Sequence, residues 1–171
     1  MNELIRTGPS INKGKSRQDY ATPIEFIYAV TNRFGPITFD LASSSDNYKG
    51  PEGCLFTESD DSLSQDWTKL KGNLWCNPPY GVIGPWARKC AQSITEDEDG
   101  WISRRIFLLT PASVGSNWFA EYVHNRALVL FLRPRLTFEG ADDPYPKDLL
   151  LAVYGLKTFP SGYQCWRWDT P

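Results

Sequence analysis

No stretch of this sequence reaches about 18 apolar residues, so nothing in it reads as a membrane span. The first twenty residues are polar and carry Lys13, Lys15 and Arg17, without the apolar segment of a secretory leader. A cytoplasmic protein is the expectation. Histidine is scarce, with His124 the only one, and Cys54, Cys76, Cys90 and Cys165 show no C-x-x-C pairing. A metal site of Cys and His would need scattered ligands, so no metal is expected, and the thiols are expected to stay free in a reducing compartment. Internal repeats are absent, and so is a basic excess. The formal net charge is -2, which at first argues against a nucleic-acid partner, since Lys and Arg contacts to phosphate supply most non-specific affinity. Four of the 20 acids fall in one run, however, Glu96-Asp97-Glu98-Asp99. The rest of the chain is net basic, which leaves room for a basic face.

What is present suits one compact domain, because 171 residues with 41% hydrophobic content can bury a core but leave little for a second unit. Residues 1–19 lack hydrophobic periodicity and predict a mobile arm, with residues 20–171 as a single domain. Thr22-Pro23-Ile24-Glu25 reads as a helix start, with Thr22 as cap, Pro23 in the first turn and Glu25 closing a capping box. Gly35-Pro36 ends that helix. Ile37 to Ala42 predicts a strand that runs into Ser43-Ser44-Ser45, and Asn73 to Cys76 predicts a buried strand stopped by two prolines. Pro85 opens a helix with Trp86, Cys90 and Ile94 on one stripe, and Ser116 caps a helix through about His124. Further strands are expected at Arg105 to Thr110, Ala127 to Leu132 and Leu149 to Tyr154, the last pairing with Tyr163 to Trp168 as a hairpin. Near-continuous apolar strands alternating with helices imply an α/β fold with a mostly parallel sheet and an antiparallel C-terminal hairpin.

In an open α/β sheet the ligand crevice lies beyond the carboxyl ends of the strands, where Asp40 and Asn77-Pro78-Pro79-Tyr80 both fall. The second group answers a specific chemical problem. An amino nitrogen conjugated to an aromatic ring has a delocalised lone pair and is a poor nucleophile. Two acceptors, the Asn77 side-chain carbonyl and the backbone carbonyl of Pro78, can take its two N–H groups and favour a tetrahedral nitrogen as it attacks a methyl group. Pro78 and Pro79 hold the backbone rigid and supply no competing N–H, and Tyr80 offers a flat face on which a planar base can stack.

Here the sequence resembles the small phage-type DNA N-6-adenine methyltransferases (Dam-like, with the Asn-Pro-Pro-Tyr motif). The resemblance runs over most of residues 19–155, in the order Asp19-Tyr20-Ala21-Thr22-Pro23, Phe39-Asp40-Leu41-Ala42, Asp66-Trp67, Trp75 to Gly81, Trp86-Ala87-Arg88-Lys89 and Arg135-Leu136-Thr137-Phe138. It implies a Rossmann-like class I methyltransferase fold, S-adenosylmethionine as donor, double-stranded DNA as partner and an adenine flipped out of the duplex. It sets Tyr20, Thr22, Pro23, Asp40, Ala42, Asp66 and Asn77 about the cofactor, with Thr22 and Pro23 beside the methionine part. Asp66 would meet the cofactor's adenine, with Asp60 and Asp61 as rivals for that place. Two features depart from larger methyltransferases. Ala42-Ser43-Ser44-Ser45 replaces a glycine-rich turn, and no target-recognition domain fits, so sequence choice would fall to the stretches 48–66 and 139–147, the arm or a partner subunit.

Lys89, Arg88, Arg133 and Arg135 lie on the helix after the turn or just beyond a strand, and are candidates for DNA phosphate. Other functions stay open at this level. The same acceptors would serve an RNA base or a protein glutamine amide, and a relative that binds nucleic acid but has lost catalysis would keep the fold.

Overall fold

The computed structural model describes residues 21–44, 48–96, 98–156 and 163–170. The expected arm of residues 1–19 and Tyr20 lie outside them. Along the chain come α1 (Ile24–Phe34), β1 (Ile37–Asp40), β2 (Gly72–Cys76), α2 (Ile83–Gln92), β3 (Arg104–Pro111), α3 (Asn117–Tyr122), β4 (Leu128–Arg133), β5 (Leu149–Tyr154) and β6 (Gln164–Arg167). Three short 3-10 turns, Glu58–Asp60, Ser62–Ser64 and Trp67–Lys69, punctuate the link from β1 to β2.

The strands form one sheet in the order β1-β2-β3-β5-β4-β6. β1 to β3 are mutually parallel, β5 runs antiparallel to both of its neighbours, and β4 and β6 are parallel. Only β5 therefore opposes the common direction, which makes the sheet mixed and mostly parallel. The expected C-terminal hairpin does not form. β5 is inserted between β3 and β4 with both edges taken, so β6 pairs with the free edge of β4, with Phe131 opposite Cys165.

Burial of the central strands on both faces explains their continuous apolar runs. Alternate residues divide between two cores. Leu74, Cys76, Ile106, Leu108, Leu150 and Ala152 face α2 and α3, while Trp75, Phe107, Leu109, Leu151 and Val153 face α1. Each fully buried Leu, Ile, Val or Phe among them is worth roughly 1.5 to 3 kcal/mol of transfer free energy.

Two helices begin differently from the sequence expectation. Thr22 does not cap α1. Pro23 holds the cap position with extended backbone (φ -63, ψ 140), no side chain caps the helix, and the Pro23 carbonyl accepts from the N–H groups of Phe26 and Ile27. Because proline has no N–H to be capped and its own carbonyl starts the ladder, the Thr22 hydroxyl is left for another partner. α2 starts two residues before Pro85 and buries Ile83, Ala87 and Cys90; Trp86 packs against the same core as expected, and so does Ile94, from beyond the helix end. Gly35 closes α1 as expected, in a left-handed conformation (φ 95) that favours glycine. Ser116 caps α3, accepting from the Phe119 N–H, and that helix stops at Tyr122 rather than His124.

The carboxyl ends of β1, β2, β3 and β4 share one rim, where β5 begins, with Pro111 paired to Leu149. A two-residue turn would join antiparallel neighbours such as β4 and β5, yet residues 134–148 make the connection. The surplus chain reaches back across the rim. Among the described residues no helix is long and apolar enough to cross a membrane.

Candidate active site

Asp40 ends β1 opposite Trp75 of β2, and Asn77 follows two residues later, so the two strand ends named by the sequence lie side by side. Pro78 is buried and Pro79 exposed, and the turn closes with the Val82 N–H donating to the Pro79 carbonyl at 3.3 Å. The Asn77 Nδ2 donates to Thr22 Oγ1 at 3.1 Å, and Thr22 is only 1% exposed. Since an amide is planar with its two heteroatoms on opposite sides, this bond turns the Asn77 carbonyl oxygen away from Thr22.

The Asp40 carboxylate is 2% exposed and accepts two loop amides, Ala42 N–H on Oδ1 at 3.1 Å and Lys49 N–H on Oδ2 at 2.9 Å. Removal from water raises its pKa from 3.8 to about 6, against the pull of those two hydrogen bonds and of the Lys49 charge. The residue thus shapes the loop after β1. Lys49 in turn bonds Glu139 Oε1 through Nζ at 3.1 Å, and the Glu139 N–H donates to the Ala21 carbonyl at 2.9 Å. The rim segment 134–148 is therefore fastened both to the β1 loop and to the residue before Thr22.

The same segment supplies rings. Tyr80 meets Phe138 at 6.3 Å (64°) and Tyr145 at 5.8 Å (70°), and Phe138 meets Tyr145 at 5.5 Å (86°), three edge-to-face pairs that fix the Tyr80 plane. Tyr145 and the Lys49–Glu139 bridge were not identified from sequence. The available sign was Pro144-Tyr145-Pro146, an aromatic pinned by prolines inside a polar insert.

The other expected residues are placed less uniformly. Ala42 stands at the rim through its bond to Asp40, and Tyr20 lies outside the described residues. Asp66 lies on the link from β1 to β2. It caps the turn Trp67–Lys69 by accepting from the Thr68 N–H, and the Thr68 and Leu70 carbonyls are held by Arg104, which opens β3 at the opposite rim. Asp60 accepts from the Thr57 N–H and hydroxyl, and Asp61 adopts a left-handed backbone (φ 46) between two 3-10 turns. Among the basic candidates, Arg88 and Arg133 are exposed. Lys89 donates to the Leu63 carbonyl at 2.7 Å and lies over the Trp67 ring, and Arg135 binds Asp148 (2.9 Å) and the Pro146 carbonyl (3.2 Å).

Cys76, just before Asn77, is fully buried beside Cys90, and burial pushes its thiol well above the usual range, so it stays protonated. No group of three or more His, Cys, Asp or Glu among the described residues could hold a metal ion.

A family model for DNA N-6-adenine-methyltransferase (Dam) matches residues 10–148. A DNA N-6-adenine-methyltransferase of Escherichia phage T1 is 26% identical over 142 residues, covering 83% of this chain and 56% of that protein. The chain thus spans little more than half the length of that relative.

Proposed function

The chain belongs to the DNA N-6-adenine-methyltransferase (Dam) family, and from that premise we propose that it transfers a methyl group from S-adenosylmethionine to the exocyclic amino nitrogen of adenine in DNA, on a base flipped out of the duplex. The observation that carries the reading is the Asn77 amide at the carboxyl end of β2, held through its nitrogen by Thr22 with its oxygen turned the other way. The Asn77 oxygen and the Pro78 carbonyl accept the two N–H groups of the target nitrogen and localise its lone pair. Tyr80, set by Phe138 and Tyr145, stacks on the extruded base and offsets part of the few kcal/mol that flipping costs.

S-adenosylmethionine would be held at this rim by Thr22, Pro23 and Ala42, small side chains that suit a close approach of the cofactor without a glycine-rich turn. Bound there, the cofactor supplies an electrophilic methyl carbon on a sulfonium. Asp40 serves it by holding the β1 loop in shape, since both carboxylate oxygens already accept loop amides. The fold is read as a Rossmann-like class I methyltransferase variant, and residues 20–171 as one domain. Incubation with labelled S-adenosylmethionine and plasmid DNA, followed by sequencing for modified adenine, tests the proposal. Label incorporated into RNA or protein but not DNA would overturn it.

Two expectations follow for binding. Above about pH 6 the ionised Asp40 accepts both amides, and below it a proton on one oxygen breaks an N–H contact and loosens the loop. Affinity for S-adenosylmethionine, followed by calorimetry, is expected to fall as pH drops from about 7 to about 5. Stability should not fall with it on this account: a folded pKa above the unfolded one makes this group favour folding more as pH falls from about 6 towards about 4. Asp40→Asn should flatten the affinity profile, and an unchanged profile would remove Asp40 from that role.

For DNA, the exposed Arg88 and Arg133 are the phosphate contacts the reading favours. Alanine at either should lower the slope of log affinity against log salt by roughly one unit. Lys89→Ala should chiefly reduce stability, because its ammonium is engaged internally. Arg135 is intermediate. Its half-exposed ion pair with Asp148 is worth only about 0 to 1 kcal/mol and can be exchanged for phosphate.

A further inference from the structure

We infer that the Thr22 hydroxyl decides which end of the Asn77 carboxamide faces the substrate, and so acts as a positioning residue for methyl transfer. This rests on the reading of Asn77 as acceptor of the target amino group. A carboxamide has a donor end and an acceptor end of nearly the same shape, and a half-turn exchanges them. The incoming amino group presents N–H donors. An Asn77 flipped by that half-turn would set donor against donor and withdraw the acceptor the reaction needs, whereas a carboxylate at this position would offer an acceptor in either orientation. An asparagine there requires a neighbour that selects the orientation.

Thr22 is placed to do this. Its Oγ1 accepts from Asn77 Nδ2 at 3.1 Å, and it is 1% exposed, so water does not compete for the bond. Its backbone is held on both sides, by the Ala21 carbonyl that accepts from the Glu139 N–H and by the Pro23 carbonyl that starts α1. The hydroxyl is spared helix capping because Pro23 occupies the cap position.

The test compares Thr22→Val, which keeps the shape and loses the acceptor, with Thr22→Ser, which keeps the acceptor. Nitrogen-edited NMR of the Asn77 side-chain amide reports the bond itself, and steady-state methylation of DNA reports its consequence. Thr22→Val should shift the Asn77 Nδ2 resonances and lower kcat about tenfold, the bias of one ordinary hydrogen bond, with KM for DNA little changed. Thr22→Ser should restore both. In an Asn77→Asp background, Thr22→Val should cost almost nothing further. Unmoved Asn77 resonances in Thr22→Val, an unchanged kcat, or a Thr22→Ser variant as impaired as Thr22→Val would each overturn the inference. Should the wild-type chain transfer no methyl group at all, the methylation reading falls, and the NMR comparison still decides whether Thr22 orients the amide.

Discussion

Asn77→Ala is expected to cut methyl transfer at least about 100-fold, the scale seen when one preorganised hydrogen bond to a transition state is lost. The effect should fall on kcat. In the ground state the target nitrogen is flat and conjugated, and the Asn77 oxygen gains most as the nitrogen becomes tetrahedral and its N–H groups more acidic. Affinity for S-adenosylmethionine should survive, because the Asn77 nitrogen is committed to Thr22 and the β1 loop is held independently by Asp40. Single-turnover rates with labelled cofactor, beside calorimetric affinity, separate the two. A variant that loses cofactor affinity in step with rate would move Asn77 from the reacting nitrogen to the cofactor. A loss below about tenfold would leave the Pro78 carbonyl as the main acceptor.

The parts of this architecture that could be read from sequence are those fixed by short-range rules. β3, β4 and β5 are apolar on both faces because both faces are covered, and that leaves an unbroken run in the chain. Gly35 and Ser116 obey local end rules and do in the structure what the sequence suggests. The partner of β6 could not be read, because it depends on β5 having entered between β3 and β4, a choice made by residues far apart. Thr22 shows the same limit more sharply. Thr-Pro-x-Glu is a sound local signal for a capped helix, yet a long-range contact with Asn77 takes the hydroxyl and Pro23 takes over the helix start. Asp40 and the Asn77 turn were legible as strand ends, since their position requires only the strands. The burial of Asp40, which lifts its pKa to about 6, depends on a loop that returns nine residues later at Lys49. Asp66 has a local use that was equally hidden, capping Trp67–Lys69 on a segment whose Thr68 and Leu70 carbonyls Arg104 holds.

The rim segment 134–148 unites these observations, because it touches both the loop that Asp40 holds and the ring proposed to stack on the base. Through Glu139 it joins Lys49 and Ala21, through Arg135 and Asp148 it braces its own base, and through Phe138 and Tyr145 it grips Tyr80. A segment tied at that many points holds its aromatic residues in a fixed plane before any ligand arrives. That is the condition under which stacking gives affinity without a large ordering cost.

Tyr80 should therefore fail differently from Asn77 when it is replaced. Tyr80→Ala removes a stacking surface worth about 1 to 3 kcal/mol per base, and should weaken capture of the extruded adenine by about 5- to 150-fold while the acceptors stay in place. The loss should appear mainly in KM for DNA, and a fluorescent base analogue at the target position should report less of the extruded form. Tyr80→Phe keeps the ring and its edge contacts with Phe138 and Tyr145, so much of the activity should remain. Tyr145→Ala, which leaves Tyr80 itself intact but frees one side of its ring, should lie between the two and move KM in the same direction. If Tyr80→Ala extrudes the base as well as the wild-type chain does, stacking is not its role. If Tyr80→Phe is as inactive as Asn77→Ala, the hydroxyl takes part in the reaction and the aromatic trio serves to aim it.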